Sequence, residues 1–447
     1  MFSRILVATR GEIALRIIRA CKELGIETVV VYSEADRDSI YRRFADETIC
    51  IGPSYSSESY LNIPSIIAAA EIADVEAIHP GYGFLSEMSH FAEVCHSSNI
   101  GFIGPSPKAM ELMGNKVAAR ETARKCGVPV VPGSEGKIQK DDEALRIAHE
   151  IGYPVIVKAA AGGGGRGMRV ARNDISLSNA LNVARSEAEA CFGNADVYLE
   201  KLVTEARHVE VQILGDHFGN IIAIGERDCS LQRRHQKLIE EAPCPSITEP
   251  VRHAISAAAV DIAKAAGYYG AGTVEFLLDR EGKFYFIEMN CRIQVEHPVT
   301  EMVTGIDIIK EQLRIASGHK LRIKQEDVKM QGVAIECRIN AEDPKNNFKP
   351  SPGKVTMYFA PGGPGVRVDS HLYSGYVVPS AYDSLVAKLI VHRNNRREAV
   401  ACMKRALEEY VIEGIKTTIP LYLEIFGHSA FLSGKVDTSF IETEFAD

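Results

Sequence analysis

Residues 273–278 (TVEFLL) and 284–301 (FYFIEMNCRIQVEHPVTE) constrain this chain more than any other stretch, because they read as the two arms of a β-hairpin. A four-residue loop at 280–283 pairs Asp279 with Phe284, Leu277 with Phe286 and Glu275 with Glu288. Like charges directly opposite one another destabilise a hairpin. A sequence that keeps such a pair implies something positive between the carboxylates. With the amide oxygen of Asn290 they make a hard-oxygen site, which suits Mg²⁺ carrying phosphate ligands. If the second arm stays extended, Glu288, Asn290, Arg292, Gln294 and Glu296 share one face, opposite Met289, Cys291, Ile293 and Val295. Such a polar face alone is what a solvated edge strand shows; the opposed acids turn the reading toward a metal and nucleotide. A slip of one residue separates the pair.

In residues 155–170 (VIVKAAAGGGGRGMRV), Lys158 closes an apolar strand and four glycines precede the next one. A glycine run is often a flexible linker. Between strands it is a hairpin tip, whose bare N–H groups approach phosphate oxygens closely. It is not a Walker A loop, since the Gly-Lys pairs at Gly136, Gly282, Gly353 and Gly434 lack a following Ser or Thr. Residues 225–243 carry Arg227, Arg233, Arg234, His235 and Lys237. That density points to an anion pocket, although a solvated loop explains it as well. Lys116 and Arg338 carry no signal by themselves, and His208, Glu210 and Gln212 alternate with apolar residues as in any half-buried strand.

The first 110 residues or so alternate strand and helix: an apolar strand at 5–8, helical spacing of Ile13, Ile17, Cys21 and Leu24 up to Gly25, then strands at 28–32, 77–79 and 101–104. This predicts a doubly wound α/β domain. Its first turn, Thr9-Arg10-Gly11-Glu12, lacks the G-x-G-x-x-G of a dinucleotide site. A Pro/Gly-rich boundary at 127–136 leads to a small α+β unit reaching about 203, and then to a strand-rich segment with hairpin turns at 215–219 and 279–283. A last α+β region ends in a helix at 397–410.

The formal net charge of −8 argues against nucleic acid or an anionic membrane as the main partner. The ten cysteines include no C-x-x-C pair, which fits reduced thiols in the cytosol. No signal peptide and no apolar run of membrane-spanning length is visible.

Together the segments RGEIA (10–14), HPGYGFLSE (79–87), KAAAGGGGRGMRV (158–170), RHVEVQ (207–212), ERDCSLQRRHQK (226–237), EMNCRIQVEHPVTE (288–301) and ECRINAEDP (336–344) resemble the ATP-grasp superfamily and, within it, the biotin carboxylases. The resemblance runs essentially end to end. It implies a doubly wound N-terminal domain (1–113), an ATP-grasp domain (114–330) with a small mobile lid at about 131–203, and a C-terminal α+β domain (331–447). On the matching positions it implies that Lys116 and Lys158 contact ATP phosphates, with Gly164 and Gly165 closing over them. Glu200, Lys201 and Val203 line the adenine pocket; His208, Gln232 and His235 hold the nucleotide further along. Glu275, Glu288 and Asn290 hold Mg²⁺ or Mn²⁺, while Lys237, Arg292, Gln294 and the Val295 backbone bind bicarbonate. Glu296 is the general base, and Arg338, with Tyr82, faces biotin. Thr9, Met88 and Cys291 depart from the Asn, Asn and Thr usual in the family, and none of them is a proposed ligand.

The resemblance further implies a cytoplasmic, ADP-forming ligase, usually homodimeric. Biotin is then its carrier-bound substrate, because no A-M-K-M attachment sequence occurs and Cys402-Met403-Lys404-Arg405 lies in a helical pattern. The expected partners are a biotin carboxyl carrier protein and the carboxyltransferase subunits of acetyl-CoA carboxylase, in fatty-acid synthesis. A propionyl-CoA, pyruvate or other carboxylase is the alternative.

Overall fold

β-branched runs set between amphipathic helices build the N-terminal layer, whose strands are β1 (Arg4–Val7), β2 (Glu27–Tyr32), β3 (Glu47–Cys50), β4 (Ala77–His79) and β5 (Gly101–Phe102). The computed structural model describes residues 1–160 and 168–445. These five strands are parallel in the order β3-β2-β1-β4-β5, so the strand order reverses between β1 and β4. This is the doubly wound arrangement expected, with its crevice at the switch point. Helix Gly11–Glu23 leaves β1 and places Glu12 in its first turn. The turn after β4 packs Gly81, at φ +63°, directly on Thr9, where any Cβ would sit 2.7 Å from a Thr9 methyl. Only glycine allows that approach, which brings Tyr82 and Glu87 to the crevice.

A three-stranded antiparallel sheet follows, in the order β7-β6-β8, from β6 (Val155–Ala159), β7 (Met168–Ala171) and β8 (Val197–Lys201). Helices Asp141–Ile151 and Asp174–Phe192 pack on it through Ala144, Ile147, Leu177 and Leu181. The glycine run, including Gly164 and Gly165, lies outside the described residues.

The largest sheet is antiparallel and eight-stranded. It comprises β9 (Arg207–Gly215), β10 (Ile221–Arg233), β11 (Gln236–Ala242), β12 (Gly270–Leu278), β13 (Phe284–Asn290), β14 (Val333–Asn340), β15 (Val366–Ser370) and β16 (Leu385–Arg393), in the order β13-β12-β9-β10-β11-β14-β16-β15. One continuous sheet thus carries residues from both sides of position 330. Helix Arg396–Glu409, capped by the Asn395 side chain on the Glu398 amide at 3.0 Å, covers its far end through Ala399, Met403 and Leu407.

The β12–β13 hairpin corrects the expected register near its turn. Leu278 pairs with Phe284 and Leu277 with Tyr285, and the Asp279 N–H donates to the Lys283 carbonyl at 2.9 Å, so the loop has three residues (280–282), with Gly282 at φ +82°. The Gly282 N–H donates to the Asp279 carbonyl at 3.1 Å, so a β-turn is followed by a left-handed glycine, a standard three-residue hairpin closure. A β-bulge between Glu275 and Phe276 then absorbs one residue and restores Glu275 opposite Glu288. The extended arm also stops earlier than expected. β13 ends at Asn290, and the next amide, of Cys291, donates to the Glu87 carboxylate at 2.8 Å instead of to a strand. The chain then turns into helix His297–Thr304, with Glu296 at its N-cap position.

All ten cysteines are free. Among the described residues no helix is long and apolar enough to cross a membrane.

Candidate active site

Cross-strand pairing sets the site out in a row. Arg227 on β10 lies opposite Glu210 on β9, Glu210 opposite Glu275 on β12, and Glu275 opposite Glu288 on β13. Directly opposed side chains share a face, so three carboxylates stand side by side. Protein cations neutralise them. Arg227 is fully buried and donates to Glu210 at 2.5 Å, with further bonds to Gln212, Thr300 and Thr273. Lys237 Nζ donates to Glu210 at 2.5 Å, Glu275 at 2.9 Å and Glu296 at 2.7 Å. His208 Nε2 is 3.0 Å from Glu275, and Lys116 Nζ is 2.8 Å from Glu288. The expected positive partner is therefore present as lysine and histidine side chains, and the opposed acids do not by themselves require a metal ion.

These charges hold each other in place. Burial alone would lower the Lys237 ammonium, but Glu210, Glu275 and Glu296 hold it well above the ordinary lysine value. Burial would lift Glu296, but Lys237, Arg338 and Arg227 keep its carboxylate well below the usual range. Glu275 is likewise lowered, by Lys237 and then His208, against the effect of burial. Burial, opposed by Arg338, lifts Glu240 to about 7. Glu336, opposite Glu240 on β14, is raised further by burial, and neither of its oxygens has a hydrogen-bond partner.

Arg338 on β14 spans two acids, donating to Glu240 at 2.6 Å and to Glu296 at 2.8 Å. Glu296 is completely buried, with one oxygen on Lys237 and the other on Arg338. Although the strand has ended, the polar side chains of 290–296 still converge. Arg292 donates to Gln294 at 2.9 Å, to Asn290 at 3.3 Å and to Glu87 at 2.9 Å. The Tyr82 hydroxyl donates to Glu12, and Lys388 Nζ donates to the Val295 carbonyl at 2.9 Å.

At the other end, Lys116 opens helix Lys116–Lys125, capped by Asn115, and Lys158 on β6 pairs with Glu200 on β8 at 2.5 Å. Arg120 also binds Glu200. The Lys201 ammonium is fixed on the carbonyls of Gly152 and Tyr153, both at 2.9 Å, so its side chain is committed within the protein; Val203 follows just after β8. Gln232 is buried opposite Lys237 across β10 and β11, and His235 sits at the hairpin tip at φ +65°. Burial, opposed by Glu442 and reinforced by Lys158, His208 and Lys116, lowers His235.

The basic run is not one anion pocket. Arg227 is a buried partner of Glu210, Arg233 stacks on Phe348 at 4.0 Å and bonds Asn347, and the Arg234 amide donates to Glu442. Of the run, Arg227 and Lys237 reach the acidic row, both through Glu210. Sequence reasoning gave no role to Glu12, Glu87, Glu240 and Lys388, and counted Arg227 only as part of an anion pocket. Glu12 and Glu87 stand inside RGEIA and HPGYGFLSE, whereas no local pattern marks Glu240 or Lys388.

The donor set at Glu275, Glu288 and Asn290 fits a hard divalent cation. Both acids are oxygen donors on adjacent strands, and the Glu288 side chain keeps 22% exposure on the open side. Asn290 now turns its Nδ2 to Glu275 at 2.8 Å, so serving as an oxygen ligand requires its amide to rotate. His208, Glu210 and Glu275 form another group whose ligand atoms lie within 4.8 Å of one another.

Family models match in three consecutive parts: the biotin carboxylase N-terminal domain over residues 1–110, the carbamoyl-phosphate synthase L chain ATP-binding domain over 115–324, and the biotin carboxylase C-terminal domain over 336–443. Biotin carboxylase 1 of Bacillus subtilis is 57% identical over 444 residues, covering 99% of each chain. The biotin carboxylase of Campylobacter jejuni in complex with β,γ-ATP superposes with a TM-score of 0.97 at 53% identity, covering 99% of both chains. The biotin carboxylase domain dimer of the Hydrogenobacter thermophilus 2-oxoglutarate carboxylase was solved with MgADP, ADP and bicarbonate. It superposes with a TM-score of 0.96 at 51% identity, covering 99% of this chain and 98% of that one. With the ion-paired row, the buried Glu296 and near-complete coverage all in agreement, the chain belongs to the biotin carboxylase family of ATP-dependent ligases.

Proposed function

We propose that this chain uses ATP and bicarbonate to carboxylate biotin borne on a separate carrier protein, as the first half-reaction of an acetyl-CoA carboxylase. The observation that carries the reading is a buried carboxylate, Glu296, gripped by two cations that substrates can claim: Lys237 at 2.7 Å and Arg338 at 2.8 Å. A carboxylate held so far down is ionised but weakly basic. When Lys237 and Arg292 turn to bicarbonate, and Arg338 to the ureido oxygen of biotin, Glu296 loses its counter-ions and gains basicity. It then removes the bicarbonate proton as a bicarbonate oxygen attacks the γ-phosphorus of ATP. The P–O bond to ADP breaks and carboxyphosphate forms.

Positioning and charge neutralisation carry that transfer. Lys116 and Lys158 hold the phosphates, with Gly164 and Gly165 over them. Glu200, the Lys201 backbone and Val203 line the base, and His208, Gln232 and His235 hold the remainder of the nucleotide. Glu275, Glu288 and Asn290 hold Mg²⁺ or Mn²⁺, which when bound offsets phosphate charge. Gln294 and the Val295 N–H complete the bicarbonate site, in which Lys237 and Arg292 are the cations. Carboxyphosphate yields CO₂ and phosphate, the phosphate takes the N1′ proton of biotin, and N1′ attacks CO₂. Arg338 stabilises the developing ureido oxyanion and Tyr82 borders the biotin end. In this division residues 1–113 and 331–447 close the site around 114–330, two copies of the chain associate, and carboxyltransferase subunits take the carboxyl group onward in the cytoplasm.

Bicarbonate labelled with ¹⁸O tests the scheme. One labelled oxygen should appear in the released phosphate for each ADP formed. Phosphate free of label would rule out attack by bicarbonate on ATP.

A further inference from the structure

Lys388 stands apart from the substrate-facing lysines. It lies on β16 opposite Arg338, and its side chain has no solvent exposure. Its Nζ reaches two acceptors: the Val295 carbonyl at 2.9 Å and Glu12 Oε1, on the first turn of helix Gly11–Glu23, at 3.1 Å. The neighbouring acid Asp369, opposite Lys388 on β15, is already held by Arg367 through bonds of 2.9 and 2.7 Å. Glu12 in turn accepts from the Tyr82 hydroxyl. Three separate parts of the chain therefore meet at the peptide that precedes Glu296.

We infer that Lys388 and Glu12 form a positioning pair that fixes the Val295–Glu296 peptide and ties it to Tyr82. The peptide unit is planar, so anchoring the Val295 oxygen also sets the Glu296 N–H and the direction from which its side chain leaves. Burial of Glu296 between Lys237 and Arg338 leaves little room for a tilted plane. Stability alone is a poor reason to keep such a pair, because buried ion pairs contribute little net stability over apolar substitutes. A lysine whose ammonium ends on the backbone carbonyl next to the base has a more specific use: it pre-organises the base without touching a substrate. The inference rests on the proposed role of Glu296 and adds to it two residues that act through the backbone.

The test compares wild type, Lys388→Met and the double variant Lys388→Met/Glu12→Gln. The single variant strands a buried carboxylate and is expected to lose thermal stability; the double variant removes both charges and should regain it. For both, kcat for bicarbonate-dependent ATP cleavage should fall at least about tenfold and KM for bicarbonate should rise, while KM for ATP stays within about twofold, as for loss of orientation at one end of the site. Recovery of bicarbonate-dependent turnover together with stability in the double variant would overturn the inference, and so would a double variant that does not fold. If wild type itself shows no bicarbonate-dependent ATP cleavage, the underlying function fails, whatever the variants do.

Discussion

Replacing Lys237 by methionine isolates what a single ammonium does to three buried acids. Its Nζ lies 2.5, 2.9 and 2.7 Å from Glu210, Glu275 and Glu296. At an effective dielectric near 20, unit charges about 3 Å apart interact by about 5–6 kcal/mol. If Arg338 and Arg227 make good two thirds of the loss at Glu296, about 2 kcal/mol of preference for its ionised form is still gone. Since about 1.4 kcal/mol moves a titration by one pH unit, the acid limb of activity should climb by at least about one unit toward neutrality. The sign follows from the wild-type shift: Glu296 is held low and stays ionised, and losing the cation raises it, so the fraction present as base falls as pH is lowered. The assay is kcat/KM for bicarbonate, followed by ADP release across pH, because that ratio reports groups of the free enzyme. A Lys237→Met profile reduced by the same factor at every pH would refute the electrostatic argument, leaving Lys237 as a bicarbonate contact alone.

Glu296→Ala should lower biotin-dependent turnover by at least about 10², the low end for general acid–base catalysis, and near-normal activity would remove it from the mechanism. Arg338→Gln should impair biotin carboxylation far more than bicarbonate-dependent ATP cleavage; equal losses in parallel assays would contradict its role at the ureido oxygen. Burial would raise Asp369, but Arg367 outweighs it and brings the carboxyl from 3.8 down to about 2. That depressed group adds about 2 kcal/mol of stability above pH 4, which is lost as pH falls through about 2. Denaturant titrations should show Asp369→Asn losing less stability over that window than wild type; equal losses would show that the pair makes no linked contribution.

The opposed Glu275 and Glu288 were legible in the sequence, although the path to them was partly wrong. The count assumed a four-residue loop and an unbroken ladder. The shorter loop closed by Gly282 and the bulge beside Glu275 each displace the register by one residue, in compensating directions. Neither is visible in hydrophobic alternation, because the turn depends on one backbone angle and the bulge on packing. The alternation through 290–296 predicted which side chains gather but not where the strand stops. That is decided by Glu87, more than 200 residues distant in the chain, taking the Cys291 amide. The cations serving the acidic row were out of reach for the same reason. Lys116 and Lys237 come from segments that carry no mark of each other, and their pairing exists only once the large sheet has assembled. Short-range patterns of charge and apolarity therefore identified the acids, while long-range contacts chose their partners. The parallel N-terminal layer was readable because its strands and helices are local and regularly spaced.

ADP release measured against bicarbonate concentration, with and without free biotin, addresses the central claim most directly. The geometry around Glu296 predicts slow release without bicarbonate, a saturable rise as it is added, and faster turnover once biotin draws Arg338 away. Release at one rate regardless of bicarbonate and biotin would contradict it, and would mean that the buried base is not uncovered by these substrates.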